Sequence, residues 1–146
     1  MFHIEICKRD EKGSTLVEFA IGATVFIMSI FAVLEFGRAL WAHNALADAA
    51  RRGARYAVLH SVGSDSGVKN VVVYGDPAGG SQPLLPDLTV DNVQVSYSPD
   101  FIVNQGTATV SIKNYQFKFV LPFLPKTITM PTYSTTLTGE SAGFIP

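Results

Sequence analysis

The sequence predicts an α+β chain: one long N-terminal helix whose first half is transmembrane, followed by a small antiparallel β-sheet domain. Three observations carry this. Residues 19–34 form an unbroken run of apolar or small side chains. Residues 35–59 continue with Ala, Leu and Arg and without proline, a composition that favours helix. Beyond residue 61, Gly, Pro and Ser alternate with short β-branched and aromatic stretches, the composition of turns and strands.

The apolar run reads FAIGATVFIMSIFAVL and is extended by Leu16 and Val17 on the other side of Glu18. Together these approach the ~20 residues needed to cross a hydrocarbon core of about 30 Å. A buried core helix would show a polar face within four turns, and this stretch shows none. Residues 14–37 are therefore expected to lie in the lipid bilayer, as the first part of a helix over residues 14–60. Such a helix is roughly 70 Å long at 1.5 Å per residue, so less than half of it fits in the membrane. Residues 1–13, which carry Lys8, Arg9 and Lys12 against Glu5, Asp10 and Glu11, read as a cytoplasmic leader.

In the outer half of the helix, Ala45, Ala49, Gly53 and Ala57 recur every four residues and place small side chains on one face. Gly53 costs about 1 kcal/mol relative to alanine in a free helix, so its presence suggests close approach by another helix or a sheet. Good helix propensity alone explains the alanines equally well. Glu35 and Arg38 are spaced for an i,i+3 ion pair at the outer membrane boundary, or for separate contacts with headgroups and water. Asp48 is spaced to pair with Arg51 and Arg52. Trp41 suits the interface just beyond that boundary.

Residues 61–70 read as a linker that opens on turn-forming residues, and residues 71–146 as the extracytoplasmic β domain. Short strands are expected at residues 70–74 (NVVVY), 92–97 and 106–120, the last long or bent near Asn114 because its alternation changes parity between Ile112 and Tyr115. Residues 75–88 form a Gly- and Pro-rich loop. Residues 121–125 (LPFLP) are excluded from a central strand by their prolines. Residues 127–130 and 133–138 supply the last strand region.

The chemistry-bearing segment is Gly13-Ser14-Thr15-Leu16-Val17-Glu18-Phe19, a glycine after a charged leader and then a run whose fifth residue is glutamate. A carboxylate one turn into a membrane helix is costly unless something pairs with it. A cut after Gly13 frees an α-amino group on Ser14, cationic near neutral pH, within reach of Glu18 in the same chain or in a staggered neighbour. The alternative is that Glu18 marks the water boundary of a shorter helix.

This segment resembles a type IV prepilin processing site, and residues 13–57 resemble the TadE-like family of minor pilins, or pseudopilins, of tight-adherence (Flp-type) pili. The resemblance rests on Val17-Glu18-Phe19-Ala20, on Glu35-Phe36-Gly37-Arg38-Ala39, and on Ala49-Ala50-Arg51-Arg52-Gly53-Ala54-Arg55-Tyr56-Ala57, three blocks in order. It implies a pilin-like protein of the bacterial inner membrane, with a cytoplasmic N-terminus and a periplasmic domain, that helps initiate or assemble an adhesive pilus. The implied partners are a prepilin peptidase, other pilins or pseudopilins, and the inner-membrane assembly platform. Gly13 and Ser14 would flank the cut bond, and Glu18 would be the glutamate associated with processing and assembly. Glu35, Arg38 and the Ala45, Ala49, Gly53, Ala57 strip are the candidate helix-packing and assembly residues. Tip, fibre and assembly complex are all compatible with the resemblance. Two departures stand out: Ser14 replaces the phenylalanine common at the first mature position, and the apolar run lacks the proline often seen in these families.

Composition narrows the other classes. The chain is 47% hydrophobic and 16% charged with net charge −1, which leaves no basic surplus for nucleic acid. The lone Cys7 lies in the leader, so no intramolecular disulfide is available. His3, His43 and His60 have no ligand spacing, and the aspartates sit in turn contexts, so no metal, cofactor or catalytic residue is expected. Two other readings compete. One is an uncleaved single-pass anchor bearing a periplasmic binding domain. The other is a secretory signal ending at the A-x-A-like Ala45-Leu46-Ala47, which would put the cut far beyond the apolar run.

Overall fold

The computed structural model describes residues 11–102, 105–120 and 126–142. The expectations for residues 1–10 of the leader and for residues 121–125 lie outside the described residues. The long helix α1 runs over Glu11–Leu59, 49 residues without interruption. Its first half stands clear of the rest of the chain, and its second half is the spine on which the domain is built.

The strand expected at residues 70–74 is instead the end of a second helix, α2 (Asp65–Tyr74), which also takes in residues assigned to the linker. Its β-branched run favours a strand by no more than a few tenths of a kcal/mol per residue relative to helix. Against this, Val68, Val71, Val72 and Val73 are all buried, and full burial of a valine contributes about 1.5 kcal/mol or more. Tertiary packing therefore decides the conformation. The helix ends at Gly75, whose left-handed backbone (φ 81°) lets its N–H donate to the Val71 carbonyl at 3.0 Å.

The remaining strands are β1 (Val93–Tyr97), β2 (Thr107–Ile112), β3 (Gln116–Lys118), β4 (Thr127–Thr129) and β5 (Tyr133–Thr138). They form two antiparallel sheets, one of order β1-β2-β5 and a β3-β4 hairpin. Central β2 turns Ala108, Val110 and Ile112 inward to the core that α1 and α2 complete. On its other face hydroxyl pairs tie the strands together, Thr109 to Thr136 at 2.7 Å and Ser111 to Ser134 at 3.0 Å.

The parity change after Ile112 is a turn that hands the chain from one sheet to the other. Asn114 takes a left-handed conformation (φ 55°), which asparagine tolerates better than most residues. The Asn92 side chain donates to the Lys113 and Asn114 carbonyls at 3.0 and 3.3 Å and holds this corner. Ile112, Tyr115 and Phe117 thereby all face inward despite the odd spacing. The loop between α2 and β1 is irregular, as its composition implies, yet Leu85 and Leu88 plug into the core and the Tyr115 hydroxyl donates to the Pro86 carbonyl at 2.9 Å.

Candidate processing and assembly site

The candidate residues fall into three groups along α1. The first is Gly13, Ser14 and Glu18. All three are exposed on the helix, and an added Cβ at Gly13 would meet nothing within 4 Å. The structure thus puts the scissile-bond candidate on an accessible surface, and Glu18 one turn further along.

From there to Leu34 the helix shows apolar side chains to all sides, with Phe19 73% exposed. By length and composition it is long and apolar enough to cross a membrane, with mean hydropathy of 2.2 in its most apolar window. Its two internal hydroxyls suit that setting. Thr24 donates to the Ala20 carbonyl at 2.7 Å and Ser29 to the Val25 carbonyl at 2.8 Å, so neither presents an unsatisfied donor to hydrocarbon.

The second group is Glu35 and Arg38, at the exit from the apolar run. They form the i,i+3 pair, with Arg38 Nη1 2.5 Å from Glu35 Oε1. The same Glu35 oxygen accepts the Val120 backbone N–H at 3.1 Å, and Glu35 as a residue is only 6% exposed. Arg38 in turn lies 5.3 Å from the centroid of the Phe117 ring, within cation–π range. A buried carboxylate is tolerable only when paired and hydrogen-bonded, and here one charged and one backbone donor meet that need. Sequence spacing exposes the helical half of this arrangement. Nothing local in the sequence signals the contact with Val120, 85 positions away.

The third group is the strip of small residues. Ala49, Gly53 and Ala57 are buried and Ala45 is half-buried, all of them against the chain's own α2 and sheet. An added Cβ at Gly53 would lie 2.3 Å from Val72 Cγ2 and 3.3 Å from Val110 Cγ1, so both α2 and β2 close onto this point. The strip is occupied within the fold, which leaves it no face to offer a second chain. The arginines of the same block point the other way. Arg52 pairs with Asp48, and with Arg51 and Arg55 they line a groove of about 330 Å³ with Thr135 and Leu137.

Three tyrosines of the domain, Tyr97, Tyr115 and Tyr133, carry hydroxyls whose pKa burial raises. Burial, then the neighbouring Asp65 carboxylate, pushes the Tyr97 pKa up to about 12. Burial also raises that of Tyr133, whose hydroxyl lies 2.8 Å from His43 Nδ1. The Tyr133–His43 contact ties β5 to α1. Among the described residues no group of His, Cys, Asp and Glu is arranged to hold a metal ion.

A secretory cut after Ala47 conflicts with this geometry. It would remove Ala42 and Leu46 from the core and Glu35 from Val120.

Fold and site together define an α+β protein in which one long helix, apolar enough in its first half to cross a membrane, carries a small antiparallel sheet domain at its far end. Residues 13–55 match the family model described as TadE-like protein, and the likeness is confined to this stretch of α1. No curated protein and no solved structure matches the chain.

Proposed function

We propose that this chain is a minor pilin or pseudopilin, cut after Gly13 by a prepilin peptidase, that takes part in initiating or assembling an adhesive tight-adherence pilus. The observation that carries the reading is the coincidence of the TadE-like match over residues 13–55 with a helix whose first half finds no cover in its own chain. That half needs lipid before assembly and neighbouring helices after it. Glu18 supplies the charge logic: cleavage creates an amine on Ser14, and a staggered neighbour can bring that amine against the carboxylate, which lowers the cost of both in hydrocarbon. The N-terminus lies in the cytoplasm and the domain in the periplasm of a bacterial inner membrane.

The decisive experiment is the mature N-terminus, read by mass spectrometry after expression beside the cognate peptidase. Ser14 is expected, and Met1 overturns cleavage in favour of an uncleaved anchor. Glu18→Ala should leave membrane insertion intact while impairing processing, assembly or both, because insertion needs only the apolar run. Normal pilus number and adhesion in that variant would sink the pairing argument. For topology, a cysteine introduced near Asp100 should label from the periplasmic side only.

A further inference from the structure

We propose that the open edge of β5, with the arginine groove beside it, binds an extended acidic segment of a partner protein as an added strand. The proposal does not depend on how α1 is anchored. Its first ground is the backbone of β5. Lys113 N–H donates to the Asn92 carbonyl at 2.8 Å, Ser98 N–H to the Thr107 carbonyl at 2.9 Å, and Gly139 N–H to the Gly106 carbonyl at 2.8 Å. With the register of the sheet, these bonds turn the backbone of Thr107, Thr109 and Ser111 toward β1, and that of Ala108, Val110 and Ile112 toward β5. Tyr133, Thr135 and Leu137 therefore bond inward to β2. Ser134 and Thr136 turn their backbone N–H and C=O outward, where among the described residues no further strand pairs with them. Edges are commonly blunted by charge, proline or a bulge. The six residues of β5, YSTTLT, carry no charge and no proline, and they pair with β2 in unbroken register.

The groove supplies the second ground. The Tyr133 hydroxyl meets His43, and Thr135 and Leu137 line the groove with α1 residues between Asp48 and Leu59, so β5 runs alongside α1 in the same direction. Asp48 is already paired with Arg52. Arg51 and Arg55 are exposed and make no ion pair among the described residues, and Glu140, the carboxylate that follows β5, meets neither. They stand four residues apart, about 6 Å along the helix axis. Alternate residues on one face of a strand stand about 7 Å apart. Two carboxylates at alternate positions of an added strand thus match the two guanidinium groups, and Val58, Leu59 and Leu137 offer an apolar seat next to them.

The edge selects an extended backbone, and the arginines select its charge. A second copy pairing β5 to β5 is the competing occupant. Its edge strand brings no carboxylate. A two-fold edge pair also keeps both long helices on one face of the joined sheet, so Arg51 and Arg55 of one copy would confront those of the other.

The probe is a fluorescein-labelled, amide-capped heptapeptide, Thr-Val-Thr-Glu-Thr-Glu-Thr, whose antiparallel pairing sets its glutamates opposite Leu137 and Thr135. Binding to the full chain in zwitterionic detergent is followed by fluorescence anisotropy. The peptide is expected to bind and to slow hydrogen exchange at the Ser134 and Thr136 amides. Glutamine in place of both glutamates should weaken binding about tenfold, and so should Arg51→Ala with Arg55→Ala in the protein. Both arginines are exposed, so the double variant is expected to fold, and the glutamine peptide makes the same test on the unaltered chain. N-methylation of the peptide threonines that face Ser134 and Thr136 should weaken binding at least about tenfold, because it removes the pairing donors. Equal binding of the glutamine peptide removes the arginines from the site and overturns the proposal. Equal binding of the N-methylated peptide overturns strand addition and leaves two arginines that take any anion. Failure of the acidic peptide to bind up to about 1 mM overturns the site altogether. A dimer in sedimentation that the peptide does not dissociate puts a second copy on the edge instead.

Discussion

The two halves of α1 are one uninterrupted helix with opposite surroundings. Before Glu35, large side chains such as Phe19, Phe26 and Phe31 project outward and touch nothing of the domain. After it, Ala42, Leu46, Ala49, Ala50, Gly53, Ala54, Ala57 and Val58 are buried under α2 and β2. The difference shows how a helix can be divided by side-chain size alone. Bulky residues seek a partner outside the chain, whereas small ones admit the chain's own sheet at close range.

Substitutions of matched chemistry in the two halves can break that comparison. The largest effect is expected at glycine. Gly53→Leu must displace Val72 and Val110, and overpacking of this kind costs about 3 kcal/mol or more where backbone has to shift. Gly22→Leu, with nothing within 4 Å, should stay within about 0.5 kcal/mol of the parent. Urea unfolding of the detergent-solubilised protein, followed by circular dichroism, distinguishes them. Equal effects would mean that the outer half is not locked to the sheet.

Truncation comes next. Leu46→Ala empties a fully buried position and should cost about 2–4 kcal/mol, while Phe26→Ala should leave domain unfolding unchanged and act only on membrane insertion. A smaller effect is expected at the junction. Glu35→Ala leaves Arg38 and the Val120 N–H without their acceptor, and about 1 kcal/mol of stability should go with it. Glu18→Ala in the first half should not change domain stability. The same unfolding measurement orders all four variants.

The gentlest probe is pH. Tyr97 keeps its proton to about pH 12 in the fold, whereas an unfolded tyrosine loses it near 10.0. Between these values the folded chain binds the extra proton, so the contribution from Tyr97 is fully present below pH 10 and is lost as pH rises toward 12. Tyr97→Phe should flatten this alkaline loss in a stability-versus-pH series, and no change in slope would remove Asp65 and burial as its cause.

Much of the helical spine was legible because its signals are local and repeated. The apolar run, the proline-free continuation and the four-residue spacing of small residues each need only neighbours in sequence. The turn at Asn114 was also visible, since a parity change in alternation has few other causes. The conformation of residues 70–74 was not legible from valine content. The Ser64-Asp65 start and the stop at Gly75 both lie in the sequence, but β-branched residues mask them, and burial against α1 outweighs strand propensity. At the candidate site, the helical spacing of Glu35 and Arg38 gave half of the cluster. Its other half is a backbone N–H, which has no sequence signature at all.

By itself the sequence determined that there is a long helix with an apolar first half, a candidate cut after Gly13, a glutamate at position 18 and a β-rich remainder. It did so because periodicity, hydropathy and turn chemistry act over a few residues. The tertiary structure alone decided that the small-residue strip faces the chain's own sheet, that α2 is a helix, and that Glu35 ties the hairpin to the end of the membrane half. Those outcomes depend on which distant surfaces exclude water together, and that is settled only when residues 35 and 120, or 53, 72 and 110, meet in space.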